Sequence, residues 1–252
     1  MTFFAADALA MHFGGIKAVD GVSFAVDAGE VFTIIGPNGA GKTTIFNLVS
    51  RIYDATAGRI VFCDEDITGV PPHQIARRGI ARTFQNIELF EQASVLQNLL
   101  LGRHAHKRSG FFSELLFLPR VQRLELEHRE AVEKVIDFLD LQPYRDSLIV
   151  NLPYGVRKVV ELGRALCTEP KLLLLDEPSS GLNVEETGDM AFWIEDIRDL
   201  LGITVLMVEH DMSLVSAVSS RVLALNYGRP IATGTPREVQ EHPDVIRAYL
   251  GS

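Results

Sequence analysis

Cysteine is scarce in this sequence: Cys63 and Cys167 are the two cysteines among 252 residues, and they form no C-x-x-C pair. This excludes a disulfide-rich secreted scaffold and a thiolate metal site of the usual spacing. Two separated cysteines are typical of buried, reduced thiols in a cytosolic protein, and we favour this interpretation over a disulfide. Apart from His210, which is discussed below, the histidines are scattered without metal-ligand spacing.

Long apolar runs are also absent. The longest candidates for membrane insertion, residues 111–118 and 171–175, fall well short of the ~20 apolar residues that a spanning helix needs. The first residues lack a charged segment followed by an apolar core, so the sequence predicts no signal peptide. We therefore expect a soluble chain, or one that reaches a membrane through partner proteins.

Basic residues are outnumbered by acidic ones, 24 against 33, which gives a formal net charge of −9. A broad phosphate-neutralising surface is therefore not expected, and no nucleic-acid partner is predicted. Hydrophobic residues make up 47% of the chain, which is enough for a packed core and argues against global disorder.

Strand patterns alternate with helix patterns along most of the chain. This alternation predicts an α/β fold whose mostly parallel sheet is covered on both faces. Residues 9–26 instead predict a short N-terminal antiparallel sheet, with turns at Gly14-Gly15 and at Asp20-Gly21. Residues 79–85 predict a strand that ends in Gln85.

A mostly helical insert extends from about residue 86 to residue 151. Within it, apolar residues recur at three- and four-residue steps over 121–139, and the charged residues between them fill the solvated face of an amphipathic helix. Residues 111–119 are more apolar than a surface loop requires. Two interpretations of this stretch remain open: a core helix of the insert, or a face that contacts a partner protein.

A glycine-rich loop follows the apolar run 31–35 and leads into a predicted helix. Strand, loop, lysine and hydroxyl at a helix N-terminus form the phosphate-binding pattern G-x-x-x-x-G-K-[ST]. Glycine lets the backbone curl so that N–H groups surround phosphate oxygens, and the helix N-terminus adds further donors. Lys42 is expected to reach the β- and γ-phosphates, and the Thr43 hydroxyl to bind Mg²⁺. The predicted nucleotide-binding residues here are Gly36, Pro37, Asn38, Gly39, Ala40, Gly41, Lys42, Thr43 and Thr44.

Two acidic residues, Asp176 and Glu177, follow the apolar run 171–175. A buried parallel strand delivers the residues at its carboxyl end to the ligand crevice of an open α/β sheet. Asp176 is therefore expected to bind Mg²⁺ through water. Glu177 is expected to polarise an attacking water as general base.

The order of the motifs resembles the ATP-binding cassette (ABC) ATPases over essentially the whole chain. The resemblance rests on the glycine loop, Gln85, the helical insert, Leu152-Pro153-Tyr154-Gly155, Asp176-Glu177, Ser180-Gly181-Leu182-Asn183 and His210. It implies that Gln85 senses the metal and the γ-phosphate and couples to a transmembrane partner. It also implies that His210 contacts the γ-phosphate, that Phe13 stacks on adenine, and that residues 180–183 lie at a dimer interface.

The resemblance further implies a P-loop NTPase fold and a Mg²⁺-dependent ATPase activity coupled to transport, with ATP and Mg²⁺ as the bound groups. Residues 1–252 would form a single ABC ATPase domain. Its catalytic core would comprise 1–85 and 156–252, and 86–155 would form the helical subdomain that carries the signature motif. Lys42, Glu177 and His210 would be the catalytic residues, with Thr43, Gln85 and Asp176 at the metal.

The signature motif departs from the common form Leu-Ser-Gly-Gly-Gln, because this chain has Leu152-Pro153-Tyr154-Gly155-Val156. Pro153 removes the serine hydroxyl that would contact the γ-phosphate of a partner subunit's nucleotide, and proline has no N–H. Gly155 remains at the predicted helix start, so the helix dipole can still face an anion. The resemblance therefore places Tyr154 and Gly155 at the nucleotide of a second subunit.

Four stretches, residues 13–24, 81–86, 101–104 and 151–155, resemble the import ATPases for branched-chain (hydrophobic) amino acids. This branch implies a homo- or heterodimer with a second ABC ATPase and two transmembrane permease subunits. A solute-binding protein would act on the assembly indirectly. The ATPase would then lie peripherally at the cytoplasmic face of the inner membrane.

Other functions within this fold remain open. Urea and short amides are alternative solutes, and a subunit of a lipid or lipopolysaccharide exporter would carry the same catalytic motifs. A non-transport ABC ATPase acting on DNA or ribosomes would normally show a long coiled-coil insert, tandem cassettes or a basic surface. None of these three features is apparent in the sequence.

Overall fold

The computed structural model describes residues 3–106 and 119–250. The apolar stretch 111–119, interpreted as a core helix or as a face that contacts a partner, lies outside these residues except for its last position. Contacts divide the chain into two compact units, one formed by residues 1–85 and 171–252 and the other by 86–170. Within the described ranges, no helix is both long and apolar enough to cross a bilayer.

The regular elements follow one another as mixed strands and helices. In chain order they are β1 (Phe4–Phe13), β2 (Ile16–Val26), β3 (Val31–Ile35), α1 (Lys42–Val49), β4 (Ala57–Phe62), β5 (Glu65–Asp66), α2 (Pro72–Ile75), β6 (Ile80–Arg82), α3 (Val95–Gly102), α4 (Pro119–Phe138), α5 (Tyr154–Leu166), β7 (Leu172–Asp176), α6 (Val184–Asp199), β8 (Thr204–Val208), α7 (Met212–Val218), β9 (Arg221–Asn226), β10 (Arg229–Gly234), α8 (Pro236–Gln240) and α9 (Pro243–Leu250). Short 3₁₀ turns lie at Ala76–Arg78, Arg103–His106, Gln142–Tyr144 and Ile149–Asn151.

A six-stranded sheet in the first unit has the order β10-β9-β3-β8-β7-β6. Its strands pair in parallel except for β10, which runs antiparallel to β9 at the edge. Every residue of β3, β7 and β8 is buried, which explains why these strands are continuous apolar runs in the sequence. Because the three strands are parallel neighbours, the segments that follow them all emerge at one edge of the sheet.

A second sheet, with the order β2-β1-β4-β5, is entirely antiparallel. β1 and β2 join at Gly14-Gly15, as predicted. The predicted turn at Asp20-Gly21 is wrong, because this dipeptide lies inside β2. The strand register skips Gly21, which has a φ of +73° and forms a β-bulge.

Two apolar clusters cover the two faces of the six-stranded sheet. On one face Phe32 of β3 stacks on Phe24 of β2, with ring centroids 5.5 Å apart, in a cluster that also includes Phe46 of α1. On the other face Ile35 packs in a cluster with Val245 of α9. The predicted packing of the sheet on both sides is therefore observed, and it holds the strand ends in place.

Both cysteines are free thiols, as expected, although Cys63 is only half-buried while Cys167 is buried. Burial raises the pKa of the Cys167 thiol to about 12. This thiol therefore stays protonated at neutral pH.

The strand predicted over 79–85 is shorter in the structure, since β6 comprises Ile80–Arg82 and Gln85 lies beyond its end. The C-terminal region contains β10 and two helices, α8 and α9. Pro243 begins α9, and its missing N–H explains why the chain does not continue from α8 as one helix.

The second unit, residues 86–170, is built on α3, α4 and α5. Gly102 at the end of α3 allows a close approach to α5, because a Cβ there would lie 2.4 Å from the carbonyl oxygen of Arg164. α5 thus packs within this unit. The predicted boundary between residues 155 and 156 falls inside α5, whereas the two units divide after residue 170.

Candidate active site

The glycine-rich loop lies between β3 and α1, as the motif predicts. Gly41 has a φ of +102°, and a Cβ at this position would lie 2.5 Å from the carbonyl oxygen of Ala18. Next to Ala18, the N–H of Gly228 donates to the carbonyl of Ala40 at 2.9 Å. The loop backbone is therefore held against Ala18 and Gly228, and only glycine fits at position 41 without displacing a neighbour.

The C-terminal helix also reaches this loop. Burial raises the pKa of the Tyr249 phenol of α9, and the backbone of Gly36 acts against this rise. Val245, one helical turn earlier, packs in the cluster that contains Ile35, the residue before the loop. The sequence contained no signal for this contact, because a tyrosine in a polar terminal helix is an ordinary surface residue.

Lys42, the lysine of the loop, is almost fully buried, with 6% of its surface exposed. Its Nζ donates to the carbonyl oxygens of Gly36 at 2.6 Å and of Pro37 at 3.2 Å. Burial lowers the pKa of Lys42. The carboxylates that act against this shift are, in decreasing order, those of Glu177, Asp176 and Glu209. An ammonium group therefore lies among three carboxylates at the strand ends.

Asp176 is the last residue of β7, and its carboxylate is 2% exposed. Its Oδ2 accepts a 2.7 Å hydrogen bond from Nη2 of Arg82, at the end of the neighbouring strand β6. The second terminal nitrogen of the guanidinium group, Nη1, donates to Asn47 on α1 and to Ser50, the residue that follows α1. Sequence analysis missed this role of Arg82, although an arginine in a short apolar strand was a usable signal.

The remaining oxygen of Asp176, Oδ1, is buried and has no hydrogen-bond partner among the described residues. A buried carboxylate oxygen without a donor is a position that a cation or its water can occupy. The described ranges contain no group of three or more histidine, cysteine, aspartate or glutamate side chains able to hold a metal ion. The free oxygen of Asp176 by itself fits Mg²⁺, which keeps most of its waters and takes few protein ligands.

Glu177 has a φ of +50°, in the left-handed region that glutamate rarely adopts. Its N–H donates to the carbonyl of Val208 at 2.9 Å. This hydrogen bond holds the segment after β7 against the neighbouring strand β8. Its Oε2 accepts a 2.9 Å hydrogen bond from Nε2 of Gln85. Strained backbone of this kind concentrates at functional sites.

His210 lies beside Glu177: its Nδ1 is 3.8 Å from Oε2 of that carboxylate. More than half of the imidazole is exposed, so it remains open to a ligand. The residue before it, Glu209, is fully buried, and its Oε2 lies 3.5 Å from the same Nδ1. Sequence analysis missed Glu209, although a glutamate at the end of an apolar strand was again the signal.

The remaining predicted nucleotide contacts outside the loop backbone are Phe13, Thr43, Tyr154 and Gly155. Phe13, at the end of β1, is 44% exposed and meets Tyr53 edge to face, with ring centroids 5.5 Å apart. Thr43 is exposed at the start of α1. Tyr154 and Gly155 belong to the second unit, where they form the first turn of α5. The first unit thus brings together Gln85, Lys42, Asp176, Glu177 and His210.

Comparisons with known proteins identify the family of the chain. Residues 19–180 match the model of a family described as ABC transporter. The chain belongs to this family. Residues 229–252 also match a model described as branched-chain amino acid ATP-binding cassette transporter. The predicted membership among the ABC ATPases is therefore confirmed.

Curated relatives of this ABC ATPase cover nearly its whole length. It is 42% identical over 243 residues to the high-affinity branched-chain amino acid transport ATP-binding protein BraF of Pseudomonas aeruginosa, covering 96% of this chain and 95% of that protein. It is 41% identical to the protein LivG of the same description from Escherichia coli K12, with the same coverage.

Solved structures confirm the predicted ABC fold. A nucleotide-free ATP-binding cassette from an ABC transporter superposes with a TM-score of 0.87 at 32% identity, covering 100% of both chains. An ADP conformation of an ABC transporter cassette gives a TM-score of 0.86 at 31% identity, also over both whole chains.

Proposed function

We propose that this ABC ATPase is the ATP-hydrolysing subunit of an importer for branched-chain or related hydrophobic amino acids. The observation that carries the hydrolytic part is the position of Glu177, which lies between Gln85 and His210 within the electrostatic reach of Lys42. The solute class rests on the similarity to BraF and LivG along nearly the whole chain.

The predicted site residues of the first unit each receive a role in binding ATP. The backbone N–H groups of residues 36–44 surround the phosphates, and Lys42 exchanges its loop carbonyls for phosphate oxygens. Phe13 offers its exposed face to the adenine. His210 contacts the γ-phosphate through its exposed imidazole.

Mg²⁺ would be held by Thr43, by Gln85 and, through water, by the free oxygen of Asp176. When bound, it supplies charge stabilisation for the phosphates. Arg82 keeps the other oxygen of Asp176 occupied, so that one oxygen faces the site.

Glu177 accepts the proton of the attacking water as general base. Two contacts orient its carboxylate for this role: the backbone hydrogen bond to Val208 and the side-chain hydrogen bond from Gln85. A carboxylate that is positioned in advance makes the proton transfer efficient, because no reorganisation is needed at the moment of reaction.

A second ABC ATPase subunit, identical or not, is proposed to complete the site with Tyr154 and Gly155 of its α5. Pro153 has no hydroxyl, so the backbone N–H groups at the start of α5 remain as the hydrogen-bond donors to an anion. Both units of this chain would act as one cassette domain. Two permease subunits would bind it at the cytoplasmic face of the membrane, and a solute-binding protein would act through them.

A glutamine at position 177 tests the hydrolytic role. Glu177→Gln should bind fluorescent ATP normally while kcat falls at least ~100-fold. Size-exclusion chromatography with ATP and Mg²⁺ should show a dimer that persists. Glu241→Gln, a change of an exposed residue in the same unit, serves as control. Turnover of Glu177→Gln near that of the control would remove Glu177 from the role of base.

The solute is tested on the assembled complex. The chain is co-expressed with its permeases, and ATP hydrolysis is measured in liposomes with the binding protein loaded with leucine, with urea or with neither. Stimulation by leucine supports the proposal. Stimulation by urea alone, or co-purification with a lipid exporter, would assign a different solute to the same ATPase.

A further inference from the structure

The buried carboxylate of Glu209 joins two segments of the proposed site. Its Oε1 accepts from the N–H of Ser179 at 2.9 Å and from the Ser179 hydroxyl at 2.5 Å. Its Oε2 accepts from the N–H groups of His210 at 2.6 Å and of Asp211 at 3.0 Å. Each oxygen thus holds one segment, and four donors satisfy the carboxylate.

The first segment is the turn that follows Glu177. The N–H of Ser180 donates to the carbonyl of Glu177 at 3.1 Å, and the N–H of Leu182 donates to that of Ser179 at 3.0 Å. The turn ends at Asn183, which caps α6 through a reciprocal pair of hydrogen bonds with Glu186. Ser179 therefore belongs to one continuous hydrogen-bonded unit that begins at the proposed base.

The second segment begins with His210 and leads into α7. Asp211 caps α7 by accepting from the N–H of Ser213 at 2.8 Å. The first turns of α6 and α7 flank a groove of about 300 Å³, lined in part by Leu182 and Leu214. The Glu209 carboxylate therefore links the two segments by hydrogen bonds, beside the 3.8 Å approach of His210 to Glu177.

We propose that Glu209 is a positioning residue that couples His210 to the turn formed by residues 177–183. The proposal rests on the proposed function, because it assigns this carboxylate to the geometry of the same hydrolytic site. A shift of the 177–183 turn, which the proposed partner subunit would contact, is passed through Ser179 and Glu209 to the backbone of His210. Proline at position 153 leaves the partner without its usual hydroxyl, so a rigid link within this chain becomes more important.

The chemistry of the link makes glutamine an informative substitution. A glutamine at position 209 has nearly the same shape, but it can turn only one acceptor oxygen toward the donors. Its NH₂ group must then face either the N–H of Ser179 or those of His210 and Asp211. Glu209→Gln should therefore release one segment without removing the side chain from the core.

The expected result is a split between kcat and KM. Glu209→Gln should lower kcat at least about tenfold, as expected for the loss of charge-assisted hydrogen bonds, while KM for ATP stays within about twofold. Ser179→Ala should lower kcat less. The double variant should be no slower than Glu209→Gln alone, because both changes break the same link.

Glu30→Gln is the matched control. Glu30 is also buried at a strand end and accepts from Arg221 and from the N–H of Asp27, but it has no contact with the candidate site. Its substitution should reduce stability and leave kcat per folded molecule unchanged. Equal kcat values for Glu209→Gln and Glu30→Gln would overturn the coupling role.

Three further outcomes are decisive. If Glu209→Gln does not fold, Ser179→Ala tests the coupling by itself, because it keeps the carboxylate and removes one donor. A wild-type kcat in Ser179→Ala would then overturn the proposal. If the wild-type chain in its complex does not hydrolyse ATP, the proposed function itself fails. Hydrolysis by the wild type with no effect of either variant refutes only the coupling by Glu209.

Discussion

Gln85 and Glu177 lie 92 positions apart in the chain, yet Nε2 of Gln85 donates a 2.9 Å hydrogen bond to Oε2 of Glu177. The residue proposed to sense the metal thus contacts the residue proposed to activate water. A displacement of Gln85 changes the surroundings of the Glu177 carboxylate directly, with no intermediate side chain.

Removal of this hydrogen bond should slow hydrolysis more than it weakens ATP binding. Gln85→Ala should reduce kcat about tenfold, because the carboxylate loses one of its two orienting contacts. Binding of fluorescent ATP without Mg²⁺ should be unchanged. Gln240→Ala, which removes a side-chain hydrogen bond to Ser216 in the same unit, is the control. A Gln85→Ala variant with the kcat of this control contradicts the orienting role.

Arg82→Met should destabilise the fold strongly. It leaves the carboxylate of Asp176 buried without its cation, which costs about 3–5 kcal/mol in the free energy of unfolding. The double variant Arg82→Met/Asp176→Asn should recover much of this loss, since no unpaired charge remains. Urea denaturation measures both.

The exposed pair Arg59–Asp66 provides the comparison for Arg82. Arg59→Met should cost no more than about 1 kcal/mol, because solvent screens an exposed ion pair. Equal losses for Arg82→Met and Arg59→Met would show that the buried pair makes no special contribution.

Gly41→Ala should abolish ATP binding, whereas Gly39→Ala should weaken it only moderately. Both glycines have positive φ, +102° and +81°, so backbone strain of about 1–2 kcal/mol is common to the two variants. Only the Cβ at position 41 meets backbone, at 2.5 Å from Ala18, while that at position 39 meets open space. Equilibrium binding of fluorescent ATP distinguishes the variants, and equal affinities would refute the steric argument.

Stability should fall at alkaline pH through the Cys167 thiol. Its pKa is raised by burial from 9.0 to about 12, so the folded chain holds this proton more tightly than the unfolded chain. The protonated Cys167 thiol contributes fully to the free energy of unfolding below pH 9, and this contribution is lost as the pH rises toward 12. The free energy of unfolding should fall by about 1.4 kcal/mol per pH unit in this range.

Cys167→Ala isolates this contribution, because it removes the titrating group. Urea unfolding of the wild type and of this variant is compared between pH 8.5 and 10.5. The wild type should lose stability more steeply with rising pH. If the free energies of unfolding of the two proteins change equally with pH, the pKa of the Cys167 thiol is not raised in the folded state.

Local signals predicted the parts of the fold that depend on neighbours in the chain. The phosphate-binding loop and the buried strands β3 and β7 were predicted at nearly their observed positions, because glycine spacing and apolar runs are properties of short segments. The predicted end of the strand at Gln85 was wrong. β6 pairs with β7 only up to Arg82, which lies opposite Leu174, although β7 itself continues to Asp176.

The sequence by itself determined the family, the phosphate-binding loop and the acidic pair at the end of β7. Each of these depends on residue types at fixed spacing, which need no tertiary contact to be recognised. Only the tertiary structure decided that Arg82 neutralises Asp176, that Gln85 holds Glu177, and that Glu209 joins Ser179 to His210. These pairs meet because parallel pairing brings the ends of separate strands to one edge of the sheet, where burial makes each charge depend on a partner distant in sequence.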